Sequence, residues 1–365
     1  MNDLYLIGNG FDLAHGLKTS YNDFLLWYLN DFFKKSFRKD HHEDDLLKID
    51  RLGAHYNLPD DFNSVKDIFQ KLNDLSYKLK ANHDFFGRII ENYRDYKWVD
   101  IEYEYYMALV EIYRDMEKSN VLRSDFHFSR VKPLNDCFET IKIKLVEYLH
   151  SIEISSDLKN KHIEEILFEG TGTPETRAKG QLGGLLSNEI SKGEKLFVCF
   201  NFTPMMEIYV KKPFLKYDLI YIHGELSELL NPIIFGYGDE MDPHYEKIEN
   251  LNTKEFLDNM KSFGYFRTDN YQRVIRFVDS GEFTVKILGH SCGLSDRILL
   301  NSIFEHKNCE KIKIYHYEKS PTENDYFEKT QEISCHFKSS GKGNMRMKVV
   351  PFNKYSLMPQ VKKDN

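Results

Sequence analysis

Residues 4–24, LYLIGNGFDLAHGLKTSYNDF, decide how this chain begins to fold. The stretch opens with the apolar residues 4–7, which are enough for one buried strand. Gly8-Asn9-Gly10 follows at once, and two glycines let the backbone turn tightly and reach φ > 0 without steric cost. A helical pattern of apolar residues begins at about Tyr21. The order of strand, glycine turn and helix predicts an α/β domain.

The glycine turn is also a candidate anion site. In many α/β proteins the backbone amides of such a turn face a phosphate, because a helix N-terminus carries partial positive charge. A full dinucleotide fingerprint has a third glycine, and Leu13 stands at that position here. The turn alone therefore fits either an anion cradle formed by the amides of residues 8–11 or a tight βα turn without a ligand.

Length and composition exclude several classes of protein. The 365 residues, 41% of them apolar, allow one large domain with insertions or two domains. A net charge of -7 argues against a protein that coats nucleic acid. The five cysteines are widely spaced and form no CxxC pair, so neither a zinc knuckle nor a disulfide framework is indicated. Because no leader and no run of about 18 apolar residues is present, we expect a soluble, cytoplasmic protein without a membrane partner.

The middle of the chain has helical rather than strand patterns. Apolar residues recur at helical spacing over residues 21–37, 62–79, 98–116, 134–149 and 161–168. Residues 170–184 are rich in glycine and predict a loop or lid. We therefore expect residues 21–189 to form a large helical insertion or subdomain after the first strand.

Strand patterns return at Lys195. Apolar runs at residues 196–200, 219–222, 232–235, 283–288 and 311–317 predict buried strands, and residues 345–350 are a candidate to close the sheet. Helical patterns separate them at residues 245–277 and near residues 295–306. This alternation predicts a mostly parallel sheet, with residues 1–20 and 190–355 forming the core.

Polar or glycine-rich residues follow the ends of four predicted strands. In an open parallel sheet, ligands bind outside the carboxyl ends of the strands. Residues far apart in sequence would therefore meet at one site. The four segments are Gly8-Asn9-Gly10, Asn201-Phe202-Thr203, His223-Gly224 and Gly289-His290-Ser291.

These segments resemble two known families. The chain resembles the AbiH family of bacterial abortive-infection, anti-phage proteins over nearly its whole length. The segments that carry this resemblance are GNGFDLAHGL with TSY, FNFT, IHG and GHSCGLSD. In the same order, they resemble the core of SIR2-like domains that consume NAD. That family has a glycine-rich first loop, then an Asn, a His-Gly and a Gly-x-Ser at later strand ends. Asn201, His223, and Gly289 with Ser291 match these positions.

The chain departs from the SIR2-like pattern in three places. Asn9 stands where that family has Ala, and Thr203 stands where it has Asp. The two Cys pairs that hold zinc in protein deacetylases are absent. The resemblance therefore implies a Rossmann-like fold of SIR2-like type and hydrolysis of NAD to nicotinamide and ADP-ribose, rather than protein deacetylation. NAD is then the substrate, and no metal is expected.

The residue types suit this chemistry. Cleavage of the nicotinamide–ribose bond creates an oxocarbenium-like centre, at which Asn201 can fix the ribose and position a water. His223 can take a proton, since histidine titrates near neutral pH. Asp12 fits either a ribose contact or a helix cap, and Asp296 fits either an adenosine contact or a helix cap. The residues expected to bind NAD are Gly8, Asn9, Gly10, Phe11, Asp12, Thr203, Gly289, His290, Ser291 and Asp296.

Two classes of function stay open from the sequence. The first is an antiviral NAD hydrolase that arrests infected cells. The alternative is a non-catalytic nucleotide-binding sensor that acts by assembly or partner binding. Asn201 and His223 together favour the enzyme, because a pure binder does not need that pair. A nuclease is a weaker third reading, since no carboxylates have metal-binding spacing. Expected partners are NAD or a related nucleotide, further copies of the chain and a phage-derived trigger, but not nucleic acid.

Overall fold

The computed structural model describes residues 1–36, 39, 41–51, 62, 64–74, 77–96, 100–118, 127–169, 193–210 and 217–360. The strands are β1 Asn2–Ile7, β2 His41–Glu43, β3 Leu47–Arg51, β4 Tyr77–Ala81, β5 Lys195–Cys199, β6 Asp218–Tyr221, β7 Phe283–Leu288, β8 Cys309–Tyr315, β9 Glu318–Ser320 and β10 Glu323–Asn324. The α-helices are α1 Asn9–Ala14, α2 Tyr21–Ser36, α3 Val65–Asp74, α4 Asp84–Tyr96, α5 Ile101–Lys118, α6 Lys132–His150, α7 Lys161–Leu167, α8 Glu207–Val210, α9 Pro243–Glu249, α10 Lys261–Gly264, α11 Asn270–Asp279, α12 Arg297–Phe304, α13 Tyr326–Cys335 and α14 Lys342–Lys348. Shorter 3-10 turns include Pro204–Met206 and Leu294–Asp296.

The chain divides into two compact units. The sheet unit comprises Met1–Leu17, Glu153–Ile234 and Tyr265–Asn365. The helical unit comprises Lys18–Ile152 and Phe235–Gly264. The insertion boundaries expected from the sequence, residues 21–189, stay a prediction. The glycine-rich residues 170–184 lie outside the described residues.

The sheet unit is built on a parallel sheet of five strands in the order β6-β5-β1-β7-β8. Its central strand β1 pairs with β5 on one side and β7 on the other. All five residues of β5 are buried, as expected for a strand covered on both faces. The predicted α/β class with a mostly parallel sheet is confirmed.

The connectivity marks one place at the carboxyl ends of the strands. From β1 the chain adds β5 and β6 on one side and then continues with β7 and β8 on the other. The carboxyl ends of β1 and β7 therefore flank a topological switch point, where ligands of open α/β sheets bind.

One predicted strand is wrong, and a second is reduced to a single bridge. Residues 232–235 form no strand, because Pro232 has no amide proton to donate to a neighbouring strand. Their backbone packs against Gly224 instead, and Ile234 N donates to His223 O at 2.8 Å. Of the candidate closing segment, residues 345–350, the first four residues belong to helix α14, and only Val349 forms a parallel bridge, with Ile312 of β8. Lys348 Nζ donates to two carbonyls at the end of α12, at 3.0 and 2.9 Å, which holds the segment against that helix.

The first helix also begins earlier than predicted. Helix α1 starts directly after β1, with Gly8 at its N-cap, so the glycine segment is the start of a helix rather than an open turn. The helix predicted near Tyr21 is α2.

The helical unit contains α2 to α6, α9 and α10 and a small antiparallel sheet, β2-β3-β4. The sequence patterns missed this sheet and predicted a helix over residues 62–79, which includes part of β4. The reason is that β4 alternates half-buried and exposed residues and has no apolar run. Among the described residues, no helix has both the length and the apolar character that crossing a membrane requires.

Candidate active site at the carboxyl ends of the strands

The ends of β1 and β7 pack backbone against backbone through three glycines. A Cβ on Gly8 would lie 2.4 Å from His290 Cα, and one on Gly10 would lie 2.8 Å from Gly289 Cα. Gly289 has φ +72, and a Cβ there would lie 2.2 Å from Phe11 N. Close approach of the two strand ends therefore requires glycine at these positions.

Backbone amides that we expected to hold a phosphate donate within the protein. Gly8 N donates to Leu288 O at 3.2 Å, Gly10 N to Gly289 O at 2.9 Å, and Phe11 N to Gly8 O at 2.8 Å. A phosphate bound at these amides would have to replace those three hydrogen bonds. The assignment of residues 8–11 to NAD binding stays a prediction, and the structure gives it no open cradle at these three amides.

A first group of side chains, the aspartate cluster, comprises Asp12, Asn201 and Thr203. Asn201 Nδ2 donates to Asp12 Oδ1 at 2.7 Å and to Gly8 O at 3.1 Å, and Thr203 Oγ1 donates to Asp12 Oδ2. Both partners of the Asn201 nitrogen are acceptors, which fixes the orientation of its amide. These are the hydrogen bonds of the Asn201 side chain within the described part of the chain.

Asp12 is not a helix cap, and its role as a ribose contact stays a prediction. It lies in the first turn of α1, is 1% exposed, and uses both oxygens on neutral donors. Burial raises the pKa of Asp12 to about 7, although the hydrogen bonds from Thr203 and Asn201 act in the opposite direction. The candidate site therefore holds a carboxyl group that can change its charge near neutral pH.

A second group, the histidine cluster, comprises His223, His290 and Asp296, all buried. Asp296 Oδ1 lies 3.1 Å from His223 Nε2, and Asp296 Oδ2 lies 3.4 Å from His290 Nε2. His290 Nδ1 accepts from Cys292 N at 2.9 Å, so the His290 proton lies on Nε2 and points to Asp296. The Phe200 ring packs against both imidazoles, with ring centroids 5.1 and 4.0 Å away.

Of the two alternatives for Asp296, the helix cap is wrong, and the adenosine contact stays a prediction. Asp296 stands at the N-cap of α12, but its side chain makes no capping hydrogen bond. Its carboxylate is directed to the two histidines instead, because a buried carboxylate is stabilised by charge-assisted donors. Ser291, by contrast, is exposed, and its Oγ accepts from Gly293 N at 3.3 Å.

The structure brings the predicted strand ends together. Gly8 connects the two clusters, since its carbonyl accepts from Asn201 and its Cα packs against His290. Asn201 and His223, predicted as one catalytic pair, belong to different clusters, the first on Asp12 and the second on Asp296. The roles of the predicted site residues stay predictions. Within the described residues, no group of three or more His, Cys, Asp or Glu side chains is arranged to hold a metal ion.

Sequence reasoning missed one further residue at this place, Tyr221. It ends β6 opposite Cys199 of β5 and is 4% exposed. Its hydroxyl has no hydrogen-bond partner among the described residues. A tyrosine inside an apolar run is typical of a core residue, so no sequence signal pointed to it.

The fold and these clusters define an α/β protein with a candidate active site at the switch point of a parallel sheet. The family model described as "Bacteriophage abortive infection AbiH" matches residues 4–317. The chain belongs to the AbiH family and is thus a bacterial anti-phage abortive-infection protein. No curated protein and no solved structure matches it.

Proposed function

We propose that this AbiH protein has a Rossmann-like, SIR2-like core and hydrolyses NAD in the cytoplasm of the infected cell, releasing nicotinamide and ADP-ribose. The observation that carries the proposal is the position of Asn201 and His223. They follow neighbouring parallel strands, beside the switch point, and each is held by a buried carboxyl group. Loss of NAD would then arrest the cell before the phage completes its cycle.

Asn201 supplies the positioning that the reaction needs. Its nitrogen is fixed by Asp12 and Gly8, so its carbonyl oxygen can accept a hydrogen bond from a ribose hydroxyl or from the attacking water. Holding these groups in one orientation removes part of the entropic barrier of the reaction.

His223 supplies the general base. Its Nε2 lies 3.1 Å from Asp296 Oδ1, and this adjacent carboxylate stabilises the imidazolium that forms when His223 accepts the proton. His290 donates to the second oxygen of Asp296 and so holds that carboxylate in place.

The carboxyl groups also suit the charge of the reacting centre. Bond cleavage develops positive charge on the ribose, and Asp12 and Asp296 are fixed nearby in a water-poor environment. Preorganised charges of opposite sign stabilise such a transition state more strongly than water does.

Nicotinamide release from NAD tests the proposal. The purified full chain is incubated with NAD, alone and with a lysate of phage-infected cells that can supply a trigger, and nicotinamide is quantified by chromatography. We expect His223→Gln to slow release by about 10²–10⁴-fold with little change in KM, because a general base acts mainly in the transition state. Asn201→Ala is expected to change both kcat and KM.

His316→Gln is the matched control, since His316 is equally buried but belongs to neither cluster. Thermal unfolding of all variants separates lost activity from lost fold. A folded His223→Gln variant with the wild-type rate would overturn the assignment of the base. A wild type that binds NAD but releases no nicotinamide in either mixture would favour the nucleotide-binding sensor.

A further inference from the structure

Tyr221 combines a firmly held backbone with an unsatisfied side chain. Its carbonyl accepts from Gly224 N at 3.2 Å, Asn231 Nδ2 at 3.1 Å and Asn270 Nδ2 at 3.2 Å. Its buried hydroxyl has no partner among the described residues. The three hydrogen bonds hold the backbone carbonyl of Tyr221 in place.

A buried hydroxyl without a hydrogen-bond partner requires a physical explanation. Most buried polar atoms in proteins are hydrogen-bonded, and an unsatisfied one costs free energy that a phenylalanine would avoid. A ligand that accepts a hydrogen bond from this hydroxyl would explain both why the residue is tyrosine rather than phenylalanine and why the hydroxyl has no partner in the free protein.

The surroundings of the hydroxyl are acidic. Burial, followed by the neighbouring Cys199, Glu207, Glu225 and Asp12, raises the pKa of Tyr221 above its ordinary value, so the phenol stays protonated and can donate. Glu225 is held near the end of β6 by Asn231 Nδ2, which donates to Glu225 Oε1 at 3.0 Å. Carboxylates at this position repel a phosphate and favour a neutral or cationic group.

We propose that the Tyr221 hydroxyl binds substrate, by donating a hydrogen bond to the nicotinamide riboside part of NAD, and that the phosphates lie elsewhere. This inference rests on the proposed NAD hydrolysis and adds an orientation of the substrate. The amides of Gly8, Gly10 and Phe11 donate to protein carbonyls, and this supports the inference because they offer no ready phosphate cradle.

Tyr221→Phe tests the proposal through stability and binding together. Removing a hydroxyl without a partner is expected to leave the urea midpoint of unfolding unchanged or to raise it. Tyr209→Phe is the matched control in the same unit, because the Tyr209 hydroxyl lies 2.6 Å from His15 Nε2 and accepts from Asn160 N at 2.8 Å. That control is expected to lower the midpoint.

The binding arm uses nicotinamide riboside, which is cationic and carries no phosphate, and AMP, which carries a phosphate but no nicotinamide. Calorimetry with the full chain is expected to give about 3- to 10-fold weaker binding of nicotinamide riboside to Tyr221→Phe, the value of one hydrogen bond. Binding of AMP is expected to stay the same.

Three results would overturn the inference. The first is a fall in the urea midpoint of Tyr221→Phe as large as that of Tyr209→Phe, which would mean that a buried water satisfies the hydroxyl. The second is unchanged binding of nicotinamide riboside to Tyr221→Phe. The third is a wild type that does not bind nicotinamide riboside. A wild type that binds nicotinamide riboside through Tyr221 but releases no nicotinamide from NAD would refute the proposed hydrolysis alone and leave this contact standing.

Discussion

Replacing Asp12 with asparagine is expected to stabilise the protein at neutral and alkaline pH. The variant keeps the shape of the side chain and the hydrogen bonds of the aspartate cluster. Its Oδ1 can accept from Asn201 Nδ2, and its Nδ2 can donate to Thr203 Oγ1, since a hydroxyl both donates and accepts. What the variant removes is the buried negative charge.

The magnitude follows from the pKa of Asp12, which burial raises from 3.8 to about 7. Below about pH 4 the carboxyl group is neutral in both the folded and the unfolded chain. Between about pH 4 and 7 the folded chain holds a proton that the unfolded chain has released, so the contribution of Asp12 to stability is lost as the pH rises through about 7. One pKa unit corresponds to about 1.4 kcal/mol, so the whole loss is at most about 4 kcal/mol.

Urea unfolding of the wild type and Asp12→Asn from pH 5 to pH 8, followed by circular dichroism, measures this effect. The free energy of unfolding of the variant minus that of the wild type is expected to grow by about 3 kcal/mol over this range, since about two pKa units fall within it. Asp157→Asn, at an exposed position, is the control and is expected to stay within about 0.5 kcal/mol of the wild type at each pH. A difference for Asp12→Asn that does not change with pH would refute the buried, uncompensated charge.

Two other features of the sheet unit lead to measurable outcomes. A Cβ at Gly10 would meet Gly289 Cα at 2.8 Å, so Gly10→Ala is expected to lower the free energy of unfolding in urea by about 1–3 kcal/mol. Gly281 has open space around it, so Gly281→Ala is the control and is expected to change stability little. Equal losses in the two variants would contradict the close packing at Gly10. Burial lowers the pKa of His336 from 6.5 to about 4, so the unfolded chain binds more protons than the folded one in this interval. The free energy of unfolding then falls by up to about 3 kcal/mol as the pH falls from about 6.5 to 4. His336→Gln can still donate a hydrogen bond to Cys292 O and is expected to lose less stability over this pH range. A loss of stability as large as that of the wild type would contradict the lowered pKa of His336.

The strand ends could be predicted from the sequence because they depend on local patterns. An apolar run predicts a strand buried on both faces, and the polar residues after it must reach the carboxyl end of a parallel sheet. This reasoning predicted the positions of Gly8, Asn201, His223 and Gly289 at one end of the sheet, where the structure has them. It failed at residues 232–235, because an apolar run with a proline can also pack as irregular chain.

The partners of the side chains could not be predicted in the same way. Asp12 turns to Asn201 and Asp296 turns to His223 because two strands and two helix starts meet in space, and no spacing in the sequence encodes that meeting. For the same reason, nothing in the sequence separated Tyr221 from the apolar core residues beside it.

The carboxyl ends of the strands contain several features that cost stability. Asp12 is a buried carboxyl group with neutral partners, Tyr221 has an unsatisfied hydroxyl, and Cys292 is a buried non-glycine residue at φ 61. Natural proteins keep such features mainly where function needs them. If this end of the sheet is an active site, Asp12→Asn and Tyr221→Phe should stabilise the fold while lowering NAD turnover, as relief of a functional cost does. If it is only structural, the same substitutions should leave NAD turnover unchanged, because their effect on stability follows from the buried carboxyl group and the unsatisfied hydroxyl in either case.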